Sequence, residues 1–220
     1  MARRKGAHRI WYLAMVGVVA LVLMGGLMSL QPYGSALQWL IRGAALLGYL
    51  AIFLAIVSSA YMKWMTRFFG RPFVKVHHIL AVAGLVMITL HPLGAAIDAL
   101  SLSVFLPRFD SWAVFFALGG RPAWYLIAAA SLAAVLRRLV GRNWRVVHFL
   151  NYVAFLLGTV HAIMIGTDFQ YIVVKVVAVV LALVVVTIFM QQRLRRRKRG
   201  SESVRGSESV RGSESESRRS

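Results

Sequence analysis

Six apolar stretches, at about residues 10–30, 38–60, 77–99, 122–138, 146–166 and 170–190, follow one another along this chain. A hydrocarbon layer of about 30 Å is crossed by a helix of about 20 apolar residues, and inside it only a helix or a closed barrel can satisfy its own backbone. Segments of this length therefore read as membrane helices. The breaks carry turn chemistry: Gln31-Pro32-Tyr33-Gly34, Phe69-Gly70-Arg71-Pro72, the stretch from Pro107 to Gly120, Gly141-Arg142-Asn143, and Gly166-Thr167-Asp168. With 59% hydrophobic and 15% charged residues, and a mean hydropathy of +0.70, the chain could not cover a water-facing surface. The first stretch follows Arg3, Arg4, Lys5 and Arg9 like a secretory signal. It is longer than the usual signal core and lacks a small-x-small cleavage site, so it reads as a retained helix.

Cations set the orientation. With a cytoplasmic amino terminus, the inner segments hold Arg3, Arg4, Lys5 and Arg9, then Lys63, Arg67, Arg71 and Lys75, then Arg137, Arg138, Arg142 and Arg145, then the cluster Arg193–Arg199. Arg42, Arg108, Arg121 and Lys175 fall outside, with Asp98, Asp110 and Asp168. The expected fold is thus all-α, an integral membrane six-helix bundle with both termini cytoplasmic, in the cell membrane. It comprises a basic amino terminus (1–9), a six-span domain (10–192) and a basic, low-complexity tail (193–220). The net charge of +19 is explained by orientation and contact with anionic lipid, with no need for nucleic acid. The repeats Gly-Ser-Glu-Ser-Val-Arg after Arg199 lack core-forming residues and predict disorder.

Four histidines stand inside the apolar stretches as pairs: His77 and His91, fourteen residues apart, and His148 and His161, thirteen apart. Ionisable residues in a bilayer are costly and mark ligands, relays or partners. At 1.5 Å per residue the pairs span roughly 21 and 20 Å of helix, enough for two stacked haems. Each iron would take one histidine from each helix, His77 with His148 and His91 with His161. At about 100° per residue, a spacing of fourteen returns within roughly 40° of the same face, whereas thirteen lands about 140° away. This favours His77 over His78 as the ligand, and it requires the later helix to bend or bulge, with Gly158 as a weak point. His78 is left as a haem-propionate partner or an interfacial side chain.

Other readings remain. Histidines can simply pack, which describes a haem-free structural or assembly subunit. A zinc or non-haem iron site would gather histidines at one depth and add carboxylates, yet the first acid of the chain is Asp98. A transporter would show broken helices. The chain has no cysteine, so thiolate chemistry and Cys-ligated clusters are absent. Arg42 lies inside the second stretch and needs an anion, a propionate at the outer haem, unless it snorkels to the headgroups. Trp112, Trp124 and Tyr125 fit an outer aromatic belt, and Trp64 and Trp144 an inner one.

The segments His77-His78-Ile79-Leu80-Ala81 to Leu90-His91-Pro92, and Trp144-Arg145-Val146-Val147-His148 to Val160-His161-Ala162, resemble the ferric-reductase-like transmembrane domain, over roughly residues 36–190. That family includes the membrane cores of NADPH oxidases and ferric reductases and the haem-binding subunit of the bacterial methionine sulfoxide reductase system. The resemblance implies a six-helix bundle whose third and fifth helices hold haem b and pass electrons across the membrane. Size, Gly120-Arg121-Pro122 and Gly141-Arg142-Asn143-Trp144 are similar to the methionine sulfoxide reductase subunit, which has arginine in place of His77. The expected function is electron transfer through two bis-histidine haems to a separate acceptor, an extracytoplasmic protein or ferric iron. The alternative is supply of electrons to a periplasmic methionine sulfoxide reductase. No flavin or dinucleotide domain follows the last stretch, so the donor would be a cytoplasmic flavoprotein or a membrane quinol.

Overall fold

The computed structural model describes residues 35–70 and 72–217, with Gly25, Gly26 and Ser29, and side chains as far as Leu194. The expected first span and the basic amino terminus lie outside the described residues, apart from those three positions. Among the described residues the structure is helical throughout, without strands.

Helix α1 (Ala36–Ala60) begins at Ser35, whose hydroxyl accepts from the Gln38 amide at 3.3 Å, a side-chain cap for an otherwise unpaired donor. A short helix α2 (Met62–Phe69) ends at Gly70, which takes the left-handed conformation of a helix stop (φ 65°). It exposes Trp64 stacked on Phe68 beside Lys63 and Arg67, the composition of a helix lying in a membrane interface. Helix α3 (Phe73–Asp98) returns antiparallel to α1.

These two helices approach closely because isoleucines of each enter glycine notches of the other. Gly48 faces Ile88, and Gly84 faces Ile52. With no hydrophobic driving force between helices in lipid, such small-residue contacts supply the packing.

A 3₁₀ turn (Leu102–Phe105) and helix α4 (Trp112–Ala117), capped by Ser111, lead to α5 (Gly120–Val135). The sequence reading extends that span to 138. Instead the helix stops at Leu136, and the chain turns by 85° into α6 (Arg137–Val140) and α7 (Trp144–His148). The consecutive arginines Arg137 and Arg138 end the apolar run there. Helix α8 (Leu150–Ile165) follows after a break at Phe149. The expected span 146–166 is therefore two helices. The break lies at Phe149, not at Gly158.

Helix α9 runs from Ile172 to Ser217. Its backbone is helical beyond Arg199, where the composition predicts disorder; the repeat places Glu and Arg three residues apart, a spacing that helices favour. Residues 186–220 form a unit by themselves.

Among the described residues three helices are long and apolar enough to cross a membrane, at Ala36–Ala60, Phe73–Asp98 and Ile172–Leu194. The bent pair Gly120–Val135 with Arg137–His148 makes a fourth if it is one span and not a re-entrant loop, and Leu150–Ile165 is apolar but shorter. Exposed Ile79, Val82, Val86, Leu93 and Ile97 along α3 form a stripe with no protein cover, as expected of a membrane protein.

The two notches respond differently to a methyl group. A Cβ on Gly48 would lie 2.9 Å from the backbone nitrogen of Ile88, whereas on Gly84 the nearest atom is the mobile methyl end of Ile52, at 2.8 Å. Gly48→Ala should cost about 1–3 kcal/mol by overpacking, and Gly84→Ala distinctly less. Thermal unfolding of both variants in detergent micelles measures the difference.

Candidate functional site

All four paired histidines point into the bundle and use Nδ1 in the same way. His77 Nδ1 lies 3.0 Å from the carbonyl oxygen of Ala55, and His91 Nδ1 lies 3.1 Å from that of Ile41. His148 Nδ1 is 3.3 Å from the Ala130 carbonyl, and His161 Nδ1 is 2.6 Å from that of Ala117. A carbonyl can only accept, so at His77, His91 and His161 Nδ1 carries the proton and Nε2 presents its lone pair; His148 Nδ1 meets both a carbonyl and the Asn151 amide, a donor, each at 3.3 Å. This tautomer is the one metal-bound histidines adopt, the second nitrogen being fixed by a backbone or carboxylate acceptor.

The acceptors repeat the spacing of the donors. Ile41 and Ala55 are fourteen residues apart on α1, as His91 and His77 are on α3. Ala117 and Ala130 are thirteen apart, as His161 and His148 are.

The levels differ in what surrounds them. His77 is also 3.3 Å from Ser58 Oγ, and His148 shares its Nδ1 environment with the Asn151 amide at 3.3 Å. His78 is exposed, its neighbour His77 turned inward. At the other level, His91 and His161 both line a cavity of about 380 Å³ that His77 and His148 do not line.

The walls of this cavity are largely apolar, and two glycines shape it. Gly120 lies under the His161 ring, so that a Cβ there would fall 2.8 Å from Nε2. Gly158 borders the space, and a Cβ there would meet nothing within 4 Å. Gly158 thus leaves room in the cavity instead of weakening a helix. Between the two levels, Tyr49 stacks on Phe155 with centroids 4.7 Å apart and shares a 2.9 Å hydrogen bond with Thr159.

Arg42 has a partner that sequence reading did not assign. It lines the cavity but forms a two-pronged ion pair with Asp168, Nε donating to Oδ2 at 3.1 Å and Nη2 to Oδ1, and both residues are buried. The expected propionate is not needed to balance this arginine, and it does not snorkel. Its position at the start of the span was a legible signal. Asp168 was not recognised, because an acid in a Gly-Thr-Asp turn reads as exposed.

Trp124 also departs from the aromatic-belt reading. Its indole donates to Thr89 Oγ1 at 3.1 Å and its ring lines the cavity, while Trp112 and Tyr125 are exposed as a belt requires. Among the described residues, no three or more His, Asp or Glu side chains gather as a metal cluster.

The family model of a domain of unknown function, DUF8596, matches residues 36–168, more than half of the chain, and the protein belongs to that family. No curated protein and no solved structure matches the chain.

Removing one member of the buried pair leaves the other charge uncompensated, which costs about 3–5 kcal/mol. Asp168→Asn and Arg42→Met should each lower the unfolding temperature in micelles sharply, and Arg42→Met combined with Asp168→Leu should recover part of the loss. Additive losses in the double variant would show that the pair is not the relevant contact.

Proposed function

We propose that this member of the family is a b-type cytochrome of the cell membrane, carrying electrons through two bis-histidine haems to a separate acceptor. The observation that supports it is the shared arrangement of four inward-facing imidazoles, each with Nδ1 against a backbone carbonyl of another segment, which at His77, His91 and His161 leaves Nε2 with its lone pair. Packing alone gives no reason for this repetition, whereas metal-bound histidines are held in this way. Bound haem b would supply one-electron chemistry at iron. The chain's own contribution is to orient the rings, to exclude water with apolar walls and, in the cavity of His91 and His161, to leave the space that Gly158 opens.

The proposal includes the six-span bundle with both termini cytoplasmic, and it rests for that on the placement of Lys and Arg. Electrons would enter from a cytoplasmic flavoprotein or a membrane quinol and leave to an extracytoplasmic protein or ferric iron. The resemblance to ferric-reductase-like domains supports this class of function. Glycine, arginine and proline at 120–122 support a role beside a methionine sulfoxide reductase as the alternative acceptor pathway.

Haem quantification and difference spectra of the purified protein test it. The expected result is two low-spin haems b per chain. His91→Ala or His161→Ala should remove about one equivalent and spare the other, since only the haem that His91 and His161 would hold loses a ligand. His77→Ala should remove the inner equivalent, and His78→Ala should leave both. A protein that folds and takes up no haem would leave the histidines as packing residues.

A further inference from the structure

Between α3 and α5 the chain does not take the shortest path. It runs through the 3₁₀ turn at Leu102–Phe105 and the helix at Trp112–Ala117, and it presents apolar side chains in two directions. Toward the bundle, Val104 and Phe105 line the cavity, Phe105 lies edge-on to Trp124 with centroids 5.5 Å apart, and Arg121 Nη1 donates to the Leu106 carbonyl at 2.7 Å. Away from the bundle, Leu100 is 92% exposed, Leu102 76%, Phe109 75% and Trp112 79%.

Leu100 has the one positive φ among the described non-glycine residues, +47°. It sits where a helix-ending left-handed turn normally has glycine. Its amide donates to the Ile97 carbonyl at 3.2 Å, and the Ser101 amide to that of Ala96 at 3.0 Å. A left-handed backbone is strained for an L-residue. Left in water, the leucine would offer nothing in return. Moved into an apolar phase, its side chain is stabilised, and that offsets the strain.

The apolar phase is identified by continuity. The uncovered stripe of α3, Ile79, Val82, Val86, Leu93 and Ile97, advances by three, four or seven residues at each step, and Leu100 is its next member. The exposed face of the loop thus extends the lipid-facing surface of a membrane helix past the end of that helix. Charge fits as well. Arg108 and Asp110 are the loop's ionic groups and pair with each other at 2.8 Å. The hydrogen bond and charge of Arg108 hold the Asp110 carboxyl below its ordinary value, so the pair stays mutually neutralised.

We propose that the segment Leu100–Trp112 is a membrane-anchored cap, its outer side chains in the boundary between headgroups and acyl chains while Val104 and Phe105 close the cavity beneath. The occupant of the exposed face is lipid. The inference does not depend on the haem reading.

Because the chain has no cysteine, single-cysteine variants report depth without interference. Leu100→Cys, Leu102→Cys and Phe109→Cys, made in the full chain, spin-labelled and placed in phosphatidylcholine nanodiscs, should collide with oxygen more than with a water-soluble nickel chelate. Preference for nickel at these positions would overturn the proposal and leave the face open to water or to a soluble partner. A second measurement needs no label. Lipid brominated near the headgroup should quench part of the tryptophan fluorescence, and Trp112→Phe, at an exposed site that does not hold the fold, should remove that part. Quenching unchanged in Trp112→Phe would likewise overturn it.

Discussion

A polar atom turned away from water needs a partner inside the protein, and here the four inward-facing imidazoles find theirs in the backbone of other segments. A helix normally spends its carbonyls on its own amides. Here Ile41, Ala55 and Ala130 lie inside helices and still accept from a ring on another segment, using the second lone pair of the oxygen. Each bond fixes a side-chain tautomer and the separation of two helices at once. The glycine notches between α1 and α3 allow those helices the approach that such bonds require.

At the level of Arg42 the same constraint is met by charge. Arg42 near the start of α1 and Asp168 in the turn before α9 are 126 residues apart in sequence, yet each is the other's counter-ion beside the cavity of His91 and His161. The pair fastens a turn to a span and sets two opposite charges next to the candidate ligands. The pair itself sums to zero charge, while Arg121, which also lines the cavity, adds a cation beside it.

The helices α1 and α3 and the inward side of the His77-His78 pair were legible in the sequence because each follows from local periodicity. The 85° turn at Leu136 and the break at Phe149 were not, since each falls on an apolar residue and neither position is a Pro or Gly. Only the conflict between a thirteen-residue spacing and a straight helix announced that something had to give way near there. Asp168 and Trp124 were misplaced for one reason: hydropathy assigns a residue to a depth, not to a side of its helix. The helical backbone after Arg199 shows the reverse limit, where composition lacked a core but spacing within the repeat still allowed a helix.

The acceptors of the four rings are main-chain oxygens, and no change of side chain at residues 41, 55, 117 or 130 removes them. What would remove them is a change of register. One residue inserted between Arg42 and Leu54 turns one acceptor by about 100° relative to the other, and α3 would need a matching insertion between its histidines to follow. The site therefore tolerates drift in the identity of its supporting residues far more readily than drift in their number. Its four segments are tied together by length, so that an insertion or deletion in one is viable only when its partner changes with it.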